Sequence, residues 1–427
     1  MPPPPGPEPP PGSALDAVLD ALVTATGGHA AGAGGAVAGV PASWVAAPGS
    51  TAEASEVMRV ASRHGLGVVV RGGSSTVDWG VPPERVDLIV DTRRLDRVIE
   101  HSAGDLVVVV QAGVRLADLA ERLAEAGQQL ALDQPLPGST VGGTVATATS
   151  GPRRLLYGTV RDLVLGATLV RADGVVAKSG GKVVKNVAGY DLAKLVTGAR
   201  GTLGMLTEAA FRLHPLPPAH AYVSTTVDGP VAAHRLVQRV LHSQLVPAAI
   251  ELDQPAGATG ARVTVLVEGT PAGAAGRARD AAGLLGADAR QLSAPPDGWG
   301  RYPLPAGGTL VKLTCAVGRL TELLDGVPRM SSRGGVPVAL RGSPGVGVFY
   351  AGLPPEAQPA SVATFVSGLR AAAPAFAGSV VVLTAPAAVR AVVDLWGPVP
   401  GIALMRRVKE QFDPDRRLAA GRFAGGI

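Results

Sequence analysis

Short apolar runs alternate with amphipathic stretches through most of this chain. Gly67-Val68-Val69-Val70 is continuous and apolar, which predicts a buried strand, and Trp44-Val45-Ala46-Ala47-Pro48 predicts another before it. Between them the pattern predicts a helix over about residues 52–64. Ser50-Thr51-Ala52-Glu53 has the capping-box spacing at its start, and Gly65 marks its end. Strands are then expected at Asp87-Leu88-Ile89-Val90 and Leu106-Val107-Val108-Val109-Val110. A helix at about 116–126 follows, ended by Gly127, and Thr140 can cap a helix over Val141–Ala148. Strands at about 164–171 and 205–213 flank a helix at about 190–197, and a first helix is expected over 13–26, capped by Ser13. Strands and helices in this mixed order indicate α+β rather than one long parallel sheet.

The pattern changes after Pro215, Pro217 and Pro218. Strand 221–227, helix 230–243, strands 247–252 and 261–268, helix 271–286 and a short strand near 289–292 follow one another. This is the ferredoxin-like β-α-β-β-α-β order. A similar order recurs at 309–315, 318–325, 336–340, 346–352, 359–372 and 379–384, which points to a duplicated unit. Ala294–Gly308 is rich in Pro and Gly and reads as a linker or surface loop. The expected organisation is a disordered Pro-rich tail (1–12), a first domain (13–217), an α+β cap (218–400) and a C-terminal segment (401–427).

Two glycine-rich loops interrupt the first domain. Arg71-Gly72-Gly73-Ser74-Ser75-Thr76 follows a predicted strand, and Pro137-Gly138-Ser139-Thr140-Val141-Gly142-Gly143-Thr144 runs into a helix start. Without Cβ atoms, backbone can approach a ligand closely, and free N–H groups at such a turn suit an anion such as a pyrophosphate. A nicotinamide-type fingerprint is not matched: Gly32-Ala33-Gly34-Gly35 lacks the third glycine and follows no evident strand. Gly180-Gly181-Lys182-Val183 lacks the hydroxyl that a nucleotide triphosphate loop requires.

Charge and composition narrow the field. The net charge is +5, but aromatic residues are only 4% and arginines are scattered, unlike a nucleic-acid surface. Lys178, Lys182, Lys185 and Lys194 lie close together in a chain that otherwise prefers Arg. They read as a solvated basic edge or as a patch for an anionic substrate or partner beside the cofactor. A single cysteine, Cys315, excludes an internal disulfide, a multi-cysteine zinc site or an iron–sulfur cluster held by this chain alone. No basic segment precedes an apolar stretch, so a cytoplasmic location is expected, with attachment to the inner membrane face through a partner.

These loops, with Gln111-Ala112-Gly113, Gly158-Thr159-Val160-Arg161-Asp162, Lys185–Leu192 and Gly201–Glu208, resemble the FAD-binding domain of the vanillyl-alcohol-oxidase-type flavoproteins, also called the PCMH type. Within that family the order is similar to the FAD-binding subunits of glycolate oxidase. The resemblance covers about residues 41–215 and returns at Lys409–Pro414; Ala419-Ala420-Gly421-Arg422 stands where the family usually reads Asn-Pro-Gly-Arg. It implies a two-subdomain FAD-binding domain with an α+β cap, and a C-terminal segment that returns to the flavin domain. It implies that Arg71, Gly72, Gly73, Ser74 and Ser75 hold the FAD pyrophosphate. Pro137, Gly138, Ser139, Thr140, Gly142, Gly143 and Thr144 would continue that cradle. Gly158, Asp162 and Asn186 fall in further matched motifs, and Gly204 and Leu206 would contact the ring system. Some relatives tether FAD through a His just after the first Gly-Gly; Ser74 stands there in this chain, so a noncovalent cofactor is expected.

The resemblance also implies a small 2-hydroxy acid such as glycolate as substrate, and assembly with a second flavoprotein subunit and an iron–sulfur subunit. Substrate chemistry of that kind uses Arg for the carboxylate and His for the proton. The seven histidines are spread out and none follows His242, so no histidine-built metal site is expected in the cap. Remaining candidates for substrate work are Lys185, Asn186, Tyr190, Arg333, Arg341 and Tyr350, each with a structural role as the plainer alternative. Two other functions stay open. One is a free-standing FAD oxidase of another alcohol or hydroxy acid; the other is a noncatalytic electron-transfer or assembly subunit.

Overall fold

The computed structural model describes residues 11–182 and 190–427, which leaves Lys185 and Asn186 outside the described residues. Helix α1 (Pro11–Ala25) starts ahead of Ser13, so Ser13 is not its cap. Strands β1 (Ala30–Val37), β2 (Val40–Ala46), β3 (Val68–Arg71) and β4 (Leu88–Asp91) form a sheet in the order β1-β2-β4-β3. β2, β4 and β3 are parallel, and α2 (Thr51–Arg63) is the crossover between β2 and β3. The Ser50 hydroxyl accepts from the Glu53 amide, and the Glu53 carboxylate accepts from the Gly49 amide at 2.8 Å, which fixes the helix start. α2 buries Ala54, Val57, Met58 and Ala61 against this sheet. Gly32–Gly35 lies within β1, a strand that the sequence pattern does not signal. A bulge falls between Gly32 and Gly35, and a Cβ on Gly34 would collide with the Trp44 carbonyl.

A second sheet stands beside the first. The chain runs through β5 (Val98–Ser102), β6 (Val107–Gln111), α3 (Leu116–Ala124), β7 (Gln128–Gln129), α4 (Val141–Thr147), α5 (Arg154–Tyr157) and α6 (Val160–Leu163). It continues through β8 (Val164–Val170), β9 (Val176–Gly180), α7 (Leu192–Val196) and β10 (Met205–Arg212). The antiparallel sheet order is β5-β6-β10-β8-β9. Its core includes Leu119, Leu123, Val141, Leu163 and Phe211, all essentially sealed from water. β7 pairs with β11 (His214–Pro215) at the edge facing the cap.

The cap contains β12 (Ala219–Asp228), α8 (Pro230–Leu241), β13 (Ala249–Gln254), β14 (Gly260–Gly269), α9 (Pro271–Leu285) and β15 (Arg290–Leu292). It then repeats the pattern with β16 (Thr309–Thr314), α10 (Leu320–Gly334), β17 (Ala339–Ser343), β18 (Val348–Leu353), α11 (Pro359–Ala372) and β19 (Ser379–Thr384). The eight strands form one sheet in the order β15-β12-β14-β13-β17-β18-β16-β19. The two halves are mirror-ordered and meet through the antiparallel β13–β17 pair, where Asp253 faces Arg341. Side chains alternate across a strand. On β13, Ile250 and Leu252 therefore enter the helix-covered core, while Glu251 and Asp253 lie on the opposite, polar face.

That polar face meets the first half through α5, which packs on β13. The Ala294–Gly308 segment is a surface loop anchored by its aromatic residues. Trp299 packs edge-on against Tyr222 with centroids 5.1 Å apart, and Tyr302 lies 4.5 Å from Tyr350. A Cβ on Gly352 would strike the Pro303 carbonyl, so the loop lies flat on β18. The segment is a surface loop as expected, with Ala294, Pro295, Asp297, Arg301 and Pro305–Gly307 exposed, and its aromatic side chains pack down on the sheet face.

After α12 (Ala387–Arg390), helix α13 (Ile402–Phe412) returns to the first half. The buried Lys409 Nζ donates to Asp413 Oδ2 at 2.7 Å and to the carbonyls of Thr202 and Leu418 at 2.8 Å each. The following residues extend the first sheet: Val68 N–H donates to Arg417 O at 2.7 Å, and Ala419 N–H to Val68 O at 2.8 Å.

Candidate cofactor site

β3 ends at Arg71 and delivers the chain into Gly72–Thr76. Arg71 is pinned by Asp91 Oδ2 at 2.9 Å, and Thr92 Oγ1 donates to the Arg71 carbonyl at 3.2 Å. Asp91 is itself buried. Burial pushes its pKa up, but hydrogen bonds from Arg93 and Arg71 outweigh that and hold the carboxylate below its ordinary value. The loop end is therefore rigidly placed. Ser74 adopts φ +61°, a left-handed conformation that non-glycine residues rarely adopt. Among the described residues, the amides of Gly73, Ser74, Ser75 and Thr76 donate to no protein acceptor. Successive free amides around a left-handed residue form an anion-binding nest.

The second loop locks against the first. A Cβ on Gly73 would collide with the Gly138 carbonyl, and one on Gly72 with Thr140 Oγ1. Ser75 Oγ lies 3.4 Å from Ser139 Oγ, and Ser139 also donates to Leu136 O at 2.8 Å. Thr140 caps α4 by accepting from the Gly143 amide at 3.3 Å. Both glycines line the cleft: a Cβ on Gly142 would lie 2.8 Å from the Ala112 Cβ, and one on Gly143 would lie 3.2 Å from Thr140 Oγ1. The buried Thr144 hydroxyl has no partner among the described residues.

Two adjoining cavities share Val70, Gly72, Gly143, Ala146 and Arg200, forming one cleft between the two sheets. Its inner part is lined by Ala112, Leu169, Val196, Leu203, Gly204 and Leu206, an apolar slot suited to a planar ring. Its outer part is lined by Gly73–Val77, Thr140, Thr147, Arg200 and Arg422. Arg200 and Arg422 both donate to the Trp79 carbonyl, at 3.4 and 2.9 Å, and Arg422 also reaches the Val77 carbonyl. Neither is in an ion pair among the described residues. Burial lowers the pKa of Arg200 to about 10. Burial and the like charge of Arg200 do the same to Arg422. Two uncompensated guanidiniums beside a nest of free amides and the Ser74 and Ser75 hydroxyls fit a diphosphate, and the apolar slot behind them fits its aromatic groups.

Several expected residues fall elsewhere. Asp162 accepts from the Thr159 amide at 2.8 Å and from its hydroxyl at 2.7 Å, so it caps α6. Gly158, with φ +82°, makes room for that cap, and neither residue lines the cleft. Tyr190 is almost fully exposed. Lys182 pairs with Glu100 on the outer side of the second sheet, and Lys194 pairs with Asp191 at 3.0 Å on α7. Lys178 lies with Lys182 on the outer face of the second sheet, away from the cleft, and Lys185 lies outside the described residues. Arg341 is held by Asp253 Oδ1 at 2.8 Å, and Arg333 ends α10 in the outer helix layer. Tyr350 does reach the seam between the halves, where Arg154 Nη2 lies 3.4 Å from its hydroxyl. Arg200, Arg422, Trp79, Tyr302 and Arg154 were not anticipated as site residues. Only the position of Arg422 after Gly421, in the segment expected to return, could have signalled one of them.

Similarity to known proteins agrees with this geometry. Residues 42–180 match the family model described as FAD binding domain. Glycolate oxidase subunit GlcD of Bacillus subtilis (strain 168) is 33% identical over 213 residues, 49% of this chain and 45% of that protein. Glycolate oxidase subunit GlcE of Escherichia coli (strain K12) is 34% identical over 182 residues, 42% of this chain and 50% of that protein. The matched stretch thus spans about half the length of these curated relatives. The crystal structure of p-cresol methylhydroxylase with substrate bound superposes with a TM-score of 0.75 at 15% identity, covering 96% of both chains. Residues 42–180 are an FAD-binding domain, and the chain as a whole has the α+β fold of the PCMH-type flavoproteins.

Proposed function

We propose that this chain is an FAD-dependent oxidoreductase component that acts on 2-hydroxy acids such as glycolate and holds its FAD noncovalently. It serves as the FAD-binding subunit of a glycolate-oxidase-like dehydrogenase, alongside a second flavoprotein and an iron–sulfur subunit, in the cytoplasm or against the inner membrane face. Among the described residues no helix is long and apolar enough to cross a membrane. The domain limits adopted for this reading are 13–217 for the FAD domain, 218–400 for the cap and 401–427 for the returning segment.

The observation that carries the reading is the cleft. Free amides at Gly73–Thr76 and the guanidiniums of Arg200 and Arg422, which form no ion pair among the described residues, line the outer part of one cleft. When bound, FAD supplies a two-electron acceptor for a hydride equivalent from carbon. The protein's part is to neutralise the diphosphate, to keep water out of the apolar slot and to orient a substrate at the seam with the cap. Ser74 offers a hydroxyl and no imidazole, which supports a noncovalent cofactor.

The purified protein should be yellow and should release free FAD on acid precipitation. Alone it should oxidise glycolate or lactate poorly with an artificial acceptor, and it should do so efficiently when its partners are added. Pull-down from native cells should recover a flavoprotein and an iron–sulfur protein. Turnover by the isolated chain at ordinary enzymatic rates, roughly 1–1000 per second, would replace this reading with a free-standing oxidase.

A further inference from the structure

Two adjacent arginines at the seam have opposite fates. Arg153 is fully engaged: its Nε donates to Asp133 Oδ1 at 2.9 Å, its Nη1 to Gln129 Oε1 at 2.6 Å and its Nη2 to the Leu132 carbonyl at 3.4 Å. Arg154 spends Nε on the Gly151 carbonyl at 2.8 Å and otherwise touches only the Tyr350 hydroxyl. Among the described residues it forms no ion pair, and its Nη1 has no protein acceptor. Glu251 is the acid that influences it, but Glu251 is sealed in the cap and accepts a hydrogen bond from Ser343 Oγ. Burial works against the Arg154 charge, but Tyr350, Glu251 and Tyr302 outweigh it and raise the pKa, so the guanidinium stays charged with Nη1 free to donate to an arriving anion.

The surroundings select the anion. The Tyr302 and Tyr350 rings stand 4.5 Å apart, and Trp79 lies 5.8 Å from Tyr302. Burial keeps the Tyr302 phenol protonated well above its ordinary range, so its hydroxyl can donate. Tyr302 is within electrostatic reach of both Arg154 and Arg200, and Arg200 lines both parts of the cofactor cleft. Trp79 joins the cluster to the cofactor cleft: its ring packs on Tyr302, and its carbonyl accepts from Arg200, which lines both parts of the cleft. A planar guanidinium fork matches a carboxylate.

We infer that Arg154, Tyr302 and Tyr350 bind the carboxylate of a 2-hydroxy acid at the edge of the cofactor cleft. The assignment rests on the reading of this chain as a hydroxy-acid flavoprotein. The guanidinium comes from the FAD half and the two phenols from the cap side, so the carboxylate site is assembled only when the two halves are apposed.

The test uses the full-length, FAD-loaded protein and follows oxalate and glycolate binding by flavin difference absorbance and by equilibrium dialysis. Arg154→Gln should weaken oxalate binding by about tenfold or more, with Arg154→Lys recovering part of the loss, as expected for a charge-assisted bond. Tyr350→Phe and Tyr302→Phe should each weaken it by roughly threefold to tenfold. Arg319→Gln, on the outer helix layer, should leave it unchanged. Glycolamide should bind far more weakly than glycolate to the wild type. Equal oxalate affinity in the wild type and Arg154→Gln at equal flavin content would overturn the carboxylate site while leaving the functional reading intact. A wild type that holds FAD yet binds none of glycolate, lactate or oxalate would overturn both. If Arg154→Gln loses its flavin, the two phenylalanine variants decide by the same criterion.

Discussion

Glu251 should make the stability of this protein fall as pH rises through neutrality. It sits on β13, buried on the polar face of the cap sheet, with Ser343 Oγ donating to it. Burial raises its pKa from 4.5 to about 7, more than the Ser343 hydrogen bond and the Arg154 charge can offset. The unfolded chain releases this proton near pH 4.5, while the folded chain keeps it until about pH 7. Across that window the folded state binds the extra proton, so stability is fully present below the unfolded pKa and is lost as pH rises. A rise of this size corresponds to about 3 kcal/mol. Glu251→Gln keeps the shape and the hydrogen-bonding capacity and removes the proton linkage. Urea unfolding at constant excess FAD, followed by tryptophan fluorescence between pH 5 and pH 8, should show the variant gaining about 3 kcal/mol on the wild type over that range. Wild-type and variant stabilities that run parallel within about 1 kcal/mol across the range would refute the reasoning.

Other perturbations test the cofactor cleft and its closure. Gly73→Val should abolish FAD binding, because its side chain must enter space held by the Gly138 carbonyl; retained flavin absorbance at full occupancy would contradict this. Gly142→Val should also lose FAD, through collision with Ala112, and should therefore lower the melting temperature of the apoprotein too. Arg200→Gln and Arg422→Gln should each weaken FAD binding by about tenfold or more, measured by equilibrium dialysis, and should raise rather than lower apoprotein stability because a repulsive buried charge is removed. Lys409→Met should destabilise by about 3–5 kcal/mol in chemical unfolding, because it leaves the buried Asp413 carboxylate without its cation.

Much of the fold is legible in the chain because its elements keep clean periods. The strand β3, the capping box of α2 and the repeated cap order were all predicted from apolar spacing and turn residues, and the sheet order explains why they recur. β1 escaped because Ala-Ala-Gly-Ala-Gly-Gly-Ala-Val has little β propensity and no alternation; its partner β2 and the bulge hold it. The 294–308 segment was legible as a surface loop, but its anchoring on the cap through Trp299 and Tyr302 was not. Glycine and proline signal turns, whereas the contacts of Gly298 with the Arg341 guanidinium and of Pro303 with Gly352 on β18 are tertiary. At the site, glycine-rich loops were visible because glycine carries local meaning. Arg154, Arg200 and Arg422 were not, because what distinguishes them is the absence of a partner, and partnership is a tertiary property. Asp162 shows the converse: a residue in a matched motif whose carboxylate is already spent on its own helix start.

The return of the chain after the cap has a temporal consequence. Val68 is bracketed by Arg417 and Ala419, and Arg422 completes the outer part of the cleft. These contacts join positions roughly 350 residues apart, the kind of closure that slows folding. During synthesis the first half emerges early yet lacks its last edge residues and one of its two cleft cations until the whole cap has followed. The FAD domain must therefore wait, with its β3 edge unpaired, for the cap to fold and for Lys409 to dock beneath Thr202. Flavin retention then reports on a finished chain: a product cut short before α13 would have both glycine-rich loops and still be unable to close on the cofactor.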